Sequence, residues 1–369
     1  MAMSLESYIL RIQKGKNLSC RDRAVLGGLS LLEKLYLKGV IRRRKKETAQ
    51  MVKAGIPVIS AGNLTAGGTG KTPCIIKLAW FLTEEGRHPA VLTRGYKGEL
   101  EHHGGIVSDR QKILISQIKA GDEPYMMAAA LPGVPVIVGK DRTVSAAAAK
   151  ALGADILLLD DGFQYWRLYR DLDILLIDST NPFGGGHLLP RGLLREPLDA
   201  LKRAGLFLLT KSGQVTPEER EAIRKTLSQY APHVPVIETD HAPSSLVSLE
   251  EWPGRSAGQA PGGKVMLLCG IGNPSSFEAT AAEAGLSVTS CMAFPDHHQY
   301  SESDLAAASR RAEKEGASAL VITEKDAVKI KANLDREGKG ILPVYVLAIS
   351  MTCSPEGEAL FRQKVEEVL

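Results

Sequence analysis

Residues 57–73 read PVISAGNLTAGGTGKTP. Gly70, Lys71 and Thr72 close a phosphate loop of the form GxxxxGK[ST], placed after a short apolar run and before a helical stretch. In such a loop glycines let successive backbone N–H groups turn inward around phosphate, the lysine reaches the β- and γ-phosphates, and the hydroxyl can ligate Mg²⁺. The nucleotide cradle is therefore expected from Thr65, Ala66, Gly67, Gly68, Thr69, Gly70, Lys71 and Thr72. The leading glycine of the strict pattern is absent, because position 65 is Thr. A glycine-rich turn holding GKT by chance is the competing interpretation. The apolar run before it, the helix after it and an acidic strand end downstream weigh against that.

The acidic partner is ILLLDDGFQ, residues 156–164. Apolar residues ending in Asp160 and Asp161 put two carboxylates at the carboxyl edge of a buried strand, where carboxylates hold Mg²⁺ directly or through water. Asp also caps helices, which is the alternative. Together with Thr72, these two acids are the expected metal donors. The pairing describes a P-loop nucleotide triphosphatase or kinase. Membrane-associated partition and site-selection ATPases share GGxGKT but carry a lysine five residues before the loop lysine, where this chain has Ala66. A membrane-bound ATPase switch without lipid kinase activity is thus the weaker alternative.

These motifs need a frame to hold them. Short runs rich in Val, Ile and Leu without alternation recur at 56–60, 90–93, 134–138, 156–159, 174–177 and 206–209. Runs of that kind are strands buried on both faces. Stretches at 71–85, 146–151 and 217–228 read as helices, so the chain predicts an α/β fold: a P-loop NTPase-like parallel sheet with helices on both faces. Residues 239–263, rich in Pro, Ser, Gly and Trp, read as a linker or small β excursion. A second, smaller α/β pattern follows, with strands at 264–269, 319–323 and 342–347 and a helix from Pro274. The expected organisation is N-terminal helices over 1–46, a P-loop lobe over 47–238, the linker 239–263 and a C-terminal lobe over 264–369.

Composition fits that plan. The 369 residues are 44% hydrophobic and 24% charged, the profile of a folded globular chain, and no apolar run is long enough for an ordinary transmembrane helix. The first residues mix acid and base with no cleavage-site pattern, which argues against secretion. Five scattered cysteines with no CxxC argue against a disulfide framework or zinc site and fit a reducing cytoplasm. The net charge of +4 is uneven: residues 1–46 hold twelve Lys and Arg against three acids, a net of +9, and the rest carries −5. Val25, Leu26, Leu29, Leu32, Tyr36 and Val40 recur there at helical spacing, ahead of the basic block Arg42 to Lys46. Such a helix can lie on an anionic membrane surface, or it can pack on the core with a solvated basic end. No aromatic–basic interleaving points to nucleic acid.

Taken in order, GNLTAGGTGKTP (62–73), LTRGY (92–96), GDEP (121–124), DDGFQ (160–164), LPRGLLREP (189–197), FPDHHQY (294–300) and TEKDAVK (323–329) resemble the tetraacyldisaccharide 4'-kinases of lipid A biosynthesis over nearly the whole chain. That family also lacks the leading loop glycine. It often has His after DDGFQ, where this chain has Tyr165, so any role of that His does not carry over. The resemblance implies transfer of the ATP γ-phosphoryl group to the 4'-hydroxyl of a tetraacylated glucosamine disaccharide 1-phosphate, giving lipid IVA. It implies a peripheral enzyme on the cytoplasmic face of the bacterial inner membrane, with no nucleic acid and no protein partner. It points to Asp122 in GDEP as the base and His297 in FPDHHQY as its partner, drawn from different lobes that close on the substrate. Lys71 is their catalytic companion at the phosphates. Asp122 can also be read as a helix N-cap before Glu123 and Pro124, and the sequence leaves open whether His297 or His298 faces the site. The resemblance further assigns Arg142, Arg195, Tyr96 and Glu123 to substrate contacts; an arginine fork matches phosphate geometry and keeps its charge.

Overall fold

The computed structural model describes residues 5–13, 19–96, 98–253, 261–296, 298–333 and 341–369. Position 297 and residues 254–260 of the expected linker lie outside them. The chain opens with helices α1 (Leu5–Gln13) and α2 (Cys20–Thr48), then β1 (Val58–Asn63), α3 (Lys71–Glu84), β2 (Pro89–Thr93) and β3 (Gly105–Ser108). It continues through α4 (Gln117–Ala120), α5 (Asp122–Ala130), β4 (Val136–Val138), α6 (Arg142–Ala151), β5 (Ile156–Asp160), β6 (Leu172–Asp178), β7 (Leu206–Thr210) and α7 (Pro217–Tyr230). The remainder is β8 (Val236–Ser248), β9 (Val265–Cys269), α8 (Pro274–Glu283), β10 (Val288–Ala293), α9 (Glu302–Lys314), β11 (Ala319–Thr323), α10 (Glu324–Asn333), β12 (Val344–Cys353) and α11 (Pro355–Glu366).

Two compact units result, and each is discontinuous in sequence. The first comprises Met1–Ile75, Asp155–Asp240 and Cys353–Leu369; the second comprises Ile76–Ala154 and His241–Thr352. In the first unit β1 pairs in parallel with both β5 and β6, β6 with β7, and β7 with β8. Strands β1, β5 and β7 are buried at every residue, which is why their sequences are apolar without alternation. In the second unit β2 pairs in parallel with β4, and β4 holds β3 antiparallel at its side. A second group there, β10-β9-β11-β12, is parallel throughout. The α/β, parallel-dominated class expected from the sequence is the class observed. The stretch read as linker or β excursion begins inside β8, a thirteen-residue strand.

The N-terminal helices belong to the first unit. A capping box starts α2: the Ser19 hydroxyl accepts from the Asp22 N–H, and the Asp22 carboxylate accepts from the Ser19 N–H. The Asp22 carboxylate also receives the Tyr8 hydroxyl (2.7 Å) and Arg11 (3.0 Å), which ties α1 to α2. Further along, the Leu188 N–H donates to Glu33 (2.8 Å) and the Tyr36 hydroxyl to the Arg195 carbonyl (3.2 Å), while Tyr36 and Leu37 pack on a core containing Phe163 and Leu194. Leu31, Leu32, Leu35 and Ile41 remain exposed. The apolar set expected to form one face is therefore divided, with Tyr36 held inward and Leu32 turned outward. Helical periodicity marks an amphipathic face, but the contacts around Tyr36 decide which side meets the core.

The tie at Asp22 is pH-dependent in a defined direction. The Tyr8 hydroxyl first, then the Ser19 N–H, hold its carboxyl down to about 2, from 3.8. A depressed carboxyl contributes stability that is complete above its unfolded value and is lost as the pH falls through the folded one. The α1–α2 contact should thus persist at pH 4 and weaken toward pH 2. Carbon-detected NMR titration of Asp22 checks this: a midpoint near 4 would mean that the Tyr8 bond is not formed in solution.

Candidate active site

The phosphate loop is held at both ends. β1 carries the chain to Asn63; the Asn63 side chain donates to the Gly67 carbonyl (3.4 Å) and accepts from Lys71 Nζ (3.4 Å). Gly67 and Gly70 have φ of +124° and +86°, a region that favours glycine and lets the loop curl before α3. An antiparallel contact from LPRGLLREP lines the loop: Ala66 N–H donates to Leu193 O (2.7 Å) and Arg195 N–H to Leu64 O (2.8 Å). This short ladder brings the Arg195 side chain to the site.

Arg195 Nη1 donates to both oxygens of Asp161 (2.9 and 2.8 Å), and Lys71 Nζ lies 3.6 Å from Asp161 Oδ1. Two cations thus converge on one carboxylate just past β5. Asp161 has φ +52°, and turns follow it instead of a helix, so the helix-cap interpretation of Asp160-Asp161 fails. Asp160 is buried at the strand end. Close packing sets the approach of this turn to β1: a Cβ on Gly62 would sit 2.6 Å from Phe163 Cβ.

Behind the cluster lies a support with no counterpart among the expected site residues. Gln164 Nε2 donates to Asn63 O (3.0 Å) and to Glu196 (3.3 Å). Glu196, 1% exposed, is clasped by two bonds from Arg203 (2.8 and 2.7 Å), whose guanidinium covers the Phe163 ring at 4.2 Å. Gln164 and Glu196 sit inside the quoted motifs, which was the available signal. Arg203 lies outside any motif and had none.

In the second unit, Gly121 with φ +90° is the N-cap of α5, so Asp122 is the first helical residue and not the cap. Its Oδ1 accepts from the Gln117 side-chain amide, and its Oδ2 lies 3.7 Å from Lys329 Nζ. Glu123 pairs with Lys325 (3.0 Å). Burial depresses Lys325, but Glu123, Asp296 and Asp122 outweigh it and leave the group raised. The His298 ring stacks on Phe294 (4.2 Å), meets Tyr300 edge-on (5.0 Å) and contacts Asp304 (3.2 Å), which is a packing role. Asp122 and the FPDHHQY segment belong to the same unit, and the units interleave in sequence. Arg142, expected at phosphate, is 5% exposed, and its Nη1 donates to the Gly139 (3.0 Å) and Lys140 (3.4 Å) carbonyls. Tyr96 is exposed just after β2.

A phosphate loop, paired carboxylates and converging cations are the equipment of phosphoryl transfer. The family model described as Tetraacyldisaccharide-1-P 4'-kinase matches residues 24–368. The chain belongs to this family. It is 40% identical over 95% of each chain to a tetraacyldisaccharide 4'-kinase from Halothermothrix orenii. To one from Anaeromyxobacter sp. strain Fw109-5 it is 42% identical over 88% of each. A crystal structure of the "apo" form of LpxK from Aquifex aeolicus in complex with ATP matches with a TM-score of 0.73 at 28% identity, covering 93% of this chain and 99% of that one. The alternative of an ATPase switch gives way to the kinase family.

The Glu196–Arg203 clasp makes a testable demand. Removing one partner of a buried ion pair leaves the other charge uncompensated, at a cost of about 3–5 kcal/mol. Arg203→Met should therefore destabilise the fold by about 3 kcal/mol, with Glu196→Gln/Arg203→Met milder than the single change. Urea unfolding of the two variants checks it; equal losses for single and double would show that the guanidinium matters only by covering Phe163.

Proposed function

We propose that this kinase transfers the γ-phosphoryl group of ATP to the 4'-hydroxyl of a tetraacylated glucosamine disaccharide 1-phosphate, giving lipid IVA. The observation that carries the reading is the convergence of Lys71 and Arg195 on Asp161 beside the phosphate loop, in a chain of this family. Residues 65–72 wrap the nucleotide phosphates, and the two cations leave Asp161 for phosphate oxygens as ATP enters. Thr72, Asp160 and Asp161 offer hard oxygen donors, which suits Mg²⁺, an ion that keeps waters and phosphates among its ligands. When bound, the ion neutralises charge on the phosphates. Asp122 takes the proton of the 4'-hydroxyl as its oxygen bonds to the γ-phosphorus and the bond to ADP breaks. His297, the partner that the family resemblance assigns, orients this carboxylate and stabilises the charge. Tyr96 and Glu123 are the candidate sugar contacts, and Arg142 braces the 139–142 loop.

The reaction takes place at an anionic surface, the cytoplasmic face of the inner membrane. Exposed Leu31, Leu32 and Leu35 on α2 support this, as does an open groove of ≈ 460 Å³ among Arg42, Arg43, Lys46, Glu47 and Arg167. Among the described residues no helix is long and apolar enough to cross a membrane. Each cation near an anionic surface adds about 1 kcal/mol of attraction.

Two measurements test these readings. With glycolipid in detergent micelles, the wild type should form ADP only in step with phosphorylated disaccharide, and Lys71→Ala should abolish both while its circular dichroism is unchanged; an undiminished rate in Lys71→Ala would sink the phosphate-loop assignment. On vesicles containing anionic lipid, reversing Arg42, Arg43 and Arg44 to Glu should release the protein and raise the apparent KM for glycolipid, while turnover of a short-chain soluble acceptor survives. Flotation that is unchanged by the reversal refutes the membrane role of α2.

A further inference from the structure

The motif TEKDAVK received no role from the reaction as read so far. It forms the end of β11 and the start of α10, and helical spacing puts Lys325 and Lys329, four residues apart, on one side of α10. That side meets the first turn of α5: Lys325 takes Glu123 (3.0 Å), and Lys329 lies 3.7 Å from Asp122 Oδ2. Asp326, between the two lysines, is committed elsewhere, accepting from the Gly270 N–H (3.1 Å), the Tyr300 hydroxyl (2.9 Å) and the Thr323 hydroxyl (2.6 Å). One helix thus grips both GDEP and, through Tyr300, the end of FPDHHQY.

Lys329 is the unusual member. It is 1% exposed, and its neighbours Ala327, Val328 and Ile330 belong to an apolar core that includes Met126 and Ala129 of α5. A lysine is almost never fully buried unless paired. Stability alone does not call for the pair, because apolar groups in place of both members of a buried ion pair are often neutral or better. The ammonium differs from a methionine in what it does to Asp122. At 3.7 Å it attracts the carboxylate without occupying it as a short hydrogen bond would, and Gln117 fixes the other oxygen.

We infer that Lys329 is the positioning residue of this kinase, holding Asp122 as an oriented anion ready to receive the acceptor's proton. The inference rests on Asp122 as the base. Lys329 touches no substrate and acts through Asp122 alone, with Gln117 as the second brace.

The test is a cycle on the full-length enzyme, with ATP and disaccharide 1-phosphate in detergent micelles. Lys329→Met should lower kcat by about 10- to 100-fold, the usual loss when an outer-shell partner of a reactive group is removed, with the KM for ATP changed less than about twofold. In an Asp122→Asn background the same change should cost nothing further. Lys329→Gln, neutral but polar, should show the same pattern and serves if the methionine variant does not fold. Wild-type kcat in both neutral variants overturns the inference while leaving Asp122 as the base. An equal loss in the wild-type and Asp122→Asn backgrounds also overturns it, because Lys329 would then act through the fold or another group. Wild-type activity in Asp122→Asn refutes the base itself, an outcome separate from either.

Discussion

Parallel pairing of β1 with β5 is the constraint on which the nucleotide end of this protein depends. The register Ala61↔Asp160 brings the loop after β1 and the turn after β5 to the same carboxyl edge of the sheet. Gly62 permits the approach, since any side chain there would strike Phe163. Once those two turns are adjacent, Lys71 and Asp161 meet without further provision. The antiparallel contact of residues 193–195 with 64–66 then adds Arg195 as a second cation. Each later layer fixes an earlier one: Gln164 binds Asn63, Glu196 binds Gln164, and Arg203 clasps Glu196.

The second unit solves a similar problem with different parts. There the carboxylates stand in the first turn of a helix, where the macrodipole already favours negative charge. Gly121, at φ +90°, turns the chain so that Asp122 begins α5 instead of capping it. Lys325 and Lys329 supply the counter-charge from α10, much as Lys71 and Arg195 do for Asp161 in the first unit. In each case cations from distant sequence meet the acid, although Gln117, close in sequence, also bonds Asp122. The ion pairs of these carboxylates therefore depend on long-range packing in both units.

That distinction explains what could be read from the sequence. The strands at 156–159 and 206–209 were legible because burial on both faces leaves an uninterrupted apolar run, and the phosphate loop because its glycines answer to backbone angles. β3 was not legible: four residues, half of them glycine or serine, pair antiparallel beside β4 and carry no periodicity. Arg203 was equally silent, because a single basic residue in a chain with 46 of them has no signature until its partner is placed, and Lys329 had only its place in TEKDAVK. The burial of Arg142 was likewise not legible, because residue type alone does not tell how deep an arginine lies. Linear order does not give spatial grouping either, since each compact unit draws on separated segments and one of them holds both Asp122 and FPDHHQY.

The N-terminal helix shows how far a periodic pattern reaches. An amphipathic helix with two usable sides can satisfy the core and still present apolar groups outward, provided that polar bonds select which side turns in. Here Glu33 and Tyr36 make that selection, bonding Leu188 and the Arg195 carbonyl. The Tyr36 bond falls on the residue whose side chain grips Asp161, so the helix that exposes Leu31 and Leu35 also steadies the backbone behind the phosphate site. A force that lifted α2 from the body would disturb Arg195 directly. One hydroxyl thus ties α2 to the backbone of the residue whose side chain grips Asp161.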